Sequence, residues 1–155
     1  ALAVEFGSGM STLWLAPRVG RLLSVEADPG WADRVRARLA ARGHAHVRHE
    51  LRPLDTYARL DDLADETVDF ALIDGHDRAG CARAILPKMR AGGMIYLDNS
   101  DKDATDPDGD TRRAERHLLE AAAARGWRVT YFTDLVPTNL FVEQGMMVEL
   151  EPSPR

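Results

Sequence analysis

Short apolar runs alternate along this chain with stretches whose apolar residues recur every three or four positions. The runs predict strands over residues 2–6, 21–26, 46–50, 68–74, 93–98, 128–133 and 140–150. The longer spacing predicts helices over 12–16, 31–42, 79–90 and 111–125, with a short one over 56–63. Trp31, Val35 and Leu39 fall at i, i+4 and i+8, which gives the second helix one apolar face. Gly43 and Gly126 follow helix ends, where a left-handed residue is expected to close the last turn. Strand–helix alternation implies a mostly parallel sheet covered on both faces. The last two strands have no helix between them, so an antiparallel hairpin around 134–139 is expected. The expected fold class is a doubly wound α/β sheet of seven strands, forming a single domain over 1–155.

Composition narrows the function. The 155 residues carry a net charge of −5, and no cluster of Lys and Arg marks a duplex-binding face. A small-molecule substrate is expected rather than a nucleic acid. Cys81 is the one cysteine, so no internal disulfide forms and a cytoplasmic setting is expected. No apolar run reaches the ~20 residues that span a bilayer, so no membrane role is expected. The chain opens without Met in Ala1-Leu2-Ala3-Val4, which reads as a domain lacking an N-terminal segment. Nothing in the pattern argues against a homo-oligomer. Residues 101–110 hold five Asp with Pro107 and Gly109, and their spacing fails the calcium-loop pattern, so a solvated loop is expected.

Two segments carry candidate chemistry. Glu5-Phe6-Gly7-Ser8-Gly9-Met10-Ser11-Thr12 follows the first strand, where glycines let the backbone turn tightly against a ligand. Ser11 or Thr12 is placed to cap the next helix. Glu26 ends the second strand with Ala27 beside it, and a carboxylate there accepts both hydroxyl protons of a ribose. Glu5, Gly7, Ser8, Gly9, Ser11, Glu26 and Ala27 are thus the candidate cofactor residues. A dinucleotide loop would place a third glycine near Thr12, which argues against a nicotinamide cofactor.

Glu5-x-Gly7-x-Gly9 followed by Glu26 resembles the first motif and ribose loop of class I S-adenosylmethionine-dependent methyltransferases. The resemblance continues through Phe70-Ala71-Leu72-Ile73-Asp74-Gly75 and through Leu86-Pro87 to Ala91-Gly92-Gly93-Met94-Ile95-Tyr96-Leu97-Asp98-Asn99. It implies a sheet order of 3-2-1-4-5-7-6 and S-adenosylmethionine as cofactor, with Asp74 and Asp55 as further cofactor contacts. It also implies a cation-dependent O-methyltransferase set, in which Asp74, Asp98 and Asn99 would hold Mg²⁺. Asp77 stands where those enzymes carry a lysine base. The string from Asp74 to Cys81 is closer to an uncharacterised bacterial branch related to these O-methyltransferases.

His76 follows the fourth strand and, with Asp74, is the candidate catalytic pair, because an imidazole suits proton abstraction near neutral pH. The cluster His44, His46 and His49 lacks the partners of a metal site, and Cys81 reads as a buried structural thiol. Trp14, Trp31 and Trp127 read as core or cofactor-shelf aromatics. The expected function is methyl transfer from S-adenosylmethionine to a small molecule, at an oxygen. The alternatives are an NAD-linked oxidoreductase and a non-catalytic cofactor- or partner-binding domain.

Overall fold

The computed structural model describes residues 1–135 and 142–152. Part of the hairpin turn expected at 134–139, and the start of the strand expected at 140–150, lie outside the described residues. Seven strands form one sheet: β1 (Leu2–Phe6), β2 (Arg21–Glu26), β3 (Val47–Leu51), β4 (Val68–Ile73), β5 (Met89–Leu97), β6 (Arg128–Leu135) and β7 (Val142–Glu149). Their order is β3-β2-β1-β4-β5-β7-β6. Parallel pairing joins β3 to β2, β2 to β1, β1 to β4 and β4 to β5. β7 pairs antiparallel with both β5 and β6, and is the one strand that runs against the rest.

Four helices follow from the pattern: α1 (Met10–Leu15), α2 (Pro29–Ala41), α3 (Arg78–Ile85) and α4 (Asp110–Arg125). Pro29 opens α2 at a position whose N–H has no helical partner, and Asp28 caps it by accepting from Trp31 N at 2.6 Å. α4 closes on Gly126, whose φ of 70° lets its N–H return to Ala122 O. The main core joins Val4, Phe6, Ile73, Ile95, Leu97, Leu118 and Met146. A second cluster, Leu13, Ala16, Val35 and Leu39, binds α1 to α2.

The chain reverses direction along the sheet between β1 and β4, and β1, β2, β4 and β5 all end at the same edge. In open α/β sheets this switch point is where a ligand sits. Hydrogen bonds run past the strand ends here. Gly7 N donates to Val25 O at 2.9 Å, Asp74 N to Phe6 O at 2.9 Å, and Asp98 N to Ile73 O at 3.0 Å. The residues after each strand are thereby held level with one another.

Four expectations are corrected. Residues 56–63 form successive turns with no helix, although Tyr57, Leu60 and Leu63 are buried. The helix expected to run to Arg90 ends at Ile85, because Pro87 has no N–H to continue it. A short 3₁₀ turn at Leu86–Lys88 then leads straight into β5. Trp14 is 59% exposed on α1 and is not a core residue, with Arg18 stacked over its ring. The Asp-rich loop is more than solvated charge. Asp110 accepts from Arg78 N at 2.7 Å and Ala79 N at 3.1 Å, tying α4 to the N-terminus of α3, and Asp103 accepts from Thr111 N.

Candidate active site

The turn after β1 is built around Gly7. Its φ is 98°, and a Cβ there would meet Gly75 N at 2.7 Å and Gly75 Cα at 2.8 Å. Only glycine lets the first loop lie against the turn after β4. Gly9 precedes α1, and Thr12 caps that helix from inside its first turn, its Oγ1 accepting from Gly9 N at 2.8 Å. Ser11 is half-buried on the same turn. Trp31 Nε1 donates to Ser8 O at 2.6 Å and clamps the loop from α2. That contact was not legible in the sequence, where Trp31 belonged to an apolar helix face.

Beneath the loop lies Glu5, fully buried. Its Oε2 accepts from Thr12 Oγ1 and Ser24 Oγ, both at 2.5 Å, and among the described residues its Oε1 has no partner. Glu5 therefore supports the loop from beneath and is not among the walls of the cleft at the sheet edge. Burial drives its carboxyl above the ordinary value, against the pull of hydroxyls from Ser11, Ser24 and Thr12, and nearby Glu26 pushes the same way as burial. In the unfolded chain this group titrates near 4.5. The folded state prefers its protonated form, so its stabilising effect is complete below that value and is lost as pH rises through the higher folded one. The melting temperature is expected to fall as pH climbs from 4.5 towards neutrality, and Glu5→Gln to flatten the slope. Parallel thermal-melt profiles for the two proteins would contradict this.

Glu26 ends β2 nearly buried. Its Oε1 accepts from Ala27 N at 2.7 Å and Asp28 N at 2.9 Å, and its Oε2 from Ser8 N and Ser8 Oγ, both at 3.1 Å. Ala27 thus contributes its backbone N–H, holding the carboxylate in one orientation. The Ser8 hydroxyl is the one partner that can rotate away, which frees an acceptor for a diol.

Asp74 follows β4 and faces Asp98, which follows β5. Burial and the neighbouring Asp98 carboxylate push Asp74 up to about 7, against the opposing pull of Arg78. His76 is exposed at the rim, its ring edge-on to the buried Tyr57 at 6.0 Å between centroids.

A cleft of about 300 Å³ joins these parts at the sheet edge. Gly7, Ser8, Glu26, Asp74 and His76 line it, together with Gly75, Arg78 and Lys102. Gly9, Ser11, Ala27, Asp55, Asp98 and Asn99 are not among its walls, and Asp55 is exposed in the turn after β3. Asn99 has a left-handed φ of 44° and donates through Nδ2 to Glu143 Oε2 at 2.8 Å. Among the described residues no group of three or more His, Cys, Asp or Glu is placed to hold a metal ion. In the donor set implied for Mg²⁺, Asp74 Oδ1 already accepts from Arg78 Nη2 at 3.2 Å, and the Asn99 Nδ2 is held by Glu143.

A family model described as a methyltransferase domain matches residues 4–100, which span β1 to the end of β5 and every wall of the cleft but Lys102. The chain belongs to this methyltransferase-domain family. Solved structures share its fold. The O-methyltransferase TomG from Streptomyces achromogenes, solved with SAM and involved in tomaymycin synthesis, is 24% identical, with a TM-score of 0.77 over 97% of this chain and 73% of its own. An O-methyltransferase from Bacillus cereus in complex with SAH is 22% identical, with a TM-score of 0.75 over the same shares, 97% and 73%. An rRNA methylase from Streptococcus thermophilus is 16% identical, with a TM-score of 0.71 over 97% of this chain and 87% of that one. A comparison with curated proteins finds no match.

For a methyltransferase domain the nicotinamide alternative falls away. The arrangement suits group transfer: a glycine cradle, an acidic residue at the tip of β2, and a carboxylate and an imidazole across the cleft. Among the described residues no helix is long and apolar enough to cross a membrane. Cys81 is fully buried, and burial raises its thiol above the ordinary value, as a structural cysteine requires.

Proposed function

We propose that this methyltransferase domain moves the methyl group of S-adenosylmethionine to an oxygen of a small molecule. The observation that carries the reading is the cleft at the switch point, where the Gly7 turn lies against Gly75 and faces Glu26 and Asp74. The cradle fits an adenosine-bearing ligand, because its floor is backbone and its wall is an oriented carboxylate. When bound, the cofactor supplies an electrophilic methyl group on a sulfonium. Ser8 and Gly7 would offer backbone to its chain, and Glu26 would accept from its ribose hydroxyls. Asp74 would face its positive charge, and His76, at the rim, would take the proton that the acceptor hydroxyl gives up. The protein's contribution is chiefly alignment of the two reactants.

Charge supports a small-molecule acceptor over a nucleic acid. The chain carries −5 overall, and Asp74 and Glu26 face the cleft, which disfavours a polyphosphate backbone. The test is incubation with S-adenosylmethionine radiolabelled in its methyl group, together with a panel of phenols, alcohols and amines and with bulk RNA. Label is expected in an alkali-stable ether of a phenol or alcohol. Label recovered chiefly in RNA or in amines would contradict the proposal.

A further inference from the structure

The cation at the tips of β4 and β5 is already present in the chain. Arg78 opens α3 with only 4% of its surface exposed. Its guanidinium reaches back over the strand ends. Nη1 donates to Asp98 O at 2.5 Å, Nε to Gly75 O at 3.2 Å, and Nη2 to Asp74 O at 3.1 Å and to Asp74 Oδ1 at 3.2 Å. Three backbone carbonyls and one carboxylate therefore point at one buried positive charge. These carbonyls end adjacent strands and would otherwise lack partners. Asp77, left-handed at φ 43°, caps α3 by accepting from Gly80 N at 3.1 Å, and Asp110 holds Arg78 N. The first turn of the helix is thus fixed, and the guanidinium with it.

We infer that Arg78 supplies from within the chain the positive charge that faces the Asp74 carboxylate and ties down the Asp98 main chain, so that no divalent cation is held there. Resting on the proposed methyl transfer, this makes Arg78 a positioning residue that fixes Asp74 against the cofactor. A guanidinium offers five donors in a rigid fork, and four contacts here use that geometry, which an ammonium cannot copy. A divalent ion between Asp74 and Asp98 would lie close to this buried cation and be repelled by it.

The test uses Mn²⁺ alone as probe, read by loss of the free-ion paramagnetic resonance signal, on the wild type, Asp98→Asn, Arg78→Met, Arg78→Lys and the double variant Arg78→Met/Asp98→Asn. S-adenosylhomocysteine affinity is measured alongside by calorimetry, with and without chelator. The wild type is expected to hold no Mn²⁺ at concentrations up to about 1 mM. Its S-adenosylhomocysteine affinity should change by less than about twofold on chelation. Arg78→Met frees the Asp74 carboxylate beside Asp98 and is expected to hold one Mn²⁺, lost again in the double variant. Arg78→Lys keeps the charge and is expected to exclude the ion while weakening S-adenosylhomocysteine binding about tenfold, because the fork is gone. One tightly held Mn²⁺ in the wild type, abolished by Asp98→Asn, would overturn the inference, and that arm does not depend on any Arg78 variant folding. So would a folded Arg78→Met that takes up no ion. Failure of the wild type to bind S-adenosylhomocysteine would instead count against the proposed function, leaving the Mn²⁺ result to be read by itself.

Discussion

Gly7→Ala is expected to abolish S-adenosylhomocysteine binding and to destabilise the fold by about 3 kcal/mol. Two effects add. The φ of 98° is costly for a residue with a Cβ, by roughly 1–2 kcal/mol. The new carbon also meets only backbone, Gly75 N, Gly75 Cα and Asp74 C, at 2.7–2.9 Å. No side chain there can rotate aside, so the two turns must separate, at a further cost of about 1–3 kcal/mol. Separation opens the cradle itself, and binding is lost with it. Gly43→Ala is the control. Gly43 is also left-handed, at φ 71°, but a Cβ there would have nothing within 4 Å, so only the conformational cost of about 1 kcal/mol remains. Urea denaturation and calorimetry on both variants check the pair; equal stability losses, or retained binding in Gly7→Ala, would contradict the account.

Glu26→Ala is expected to weaken S-adenosylhomocysteine binding by about 100-fold. Charge-assisted hydrogen bonds contribute about 1.5–3 kcal/mol each, and this carboxylate is already oriented by Ala27 N and Asp28 N before any ligand arrives. Truncation removes the acceptor and also leaves Ser8 N and Ser8 Oγ without their partner, which loosens the loop. Glu26→Gln keeps one acceptor oxygen and the shape, and is expected to lose about tenfold. A titration in which Glu26→Ala binds as tightly as the wild type would show that the ribose lies elsewhere.

The strands and the antiparallel end of the sheet were legible because each rests on a local pattern, continuous apolar runs for buried parallel strands and a missing helix before β7, while the order of the strands came from the resemblance to class I methyltransferases. Glu26 was legible for the same reason, since a lone acid ending an apolar run must sit at a strand tip. Residues 56–63 misled because Tyr57, Leu60 and Leu63 are spaced like a helix. They bury through separate turns, Thr56 N to Pro53 O, Arg59 N to Thr56 O and Leu63 N to Leu60 O, which repeat at three residues without forming a continuous ladder. Glu5 was read as a ligand contact because spacing gives its position along β1 but not the face it takes. Val4, Glu5 and Phe6 are all buried, so no alternation betrayed it. Arg78 was invisible as a site residue for the opposite reason. A charge at the start of a helix ordinarily faces water, and only the left-handed turn at Asp77 together with Asp110 directs this one inward.

The central claim is that the cleft between the Gly7 turn, Glu26 and Asp74 binds S-adenosylmethionine. Isothermal titration of the wild-type protein with S-adenosylhomocysteine, with NAD as the parallel ligand, tests it most directly. The account predicts one site per chain for S-adenosylhomocysteine, with a dissociation constant in the micromolar range, a binding free energy of about −8 kcal/mol, and no heat of binding for NAD. Binding of NAD in preference, or no saturable heat with S-adenosylhomocysteine, would contradict it.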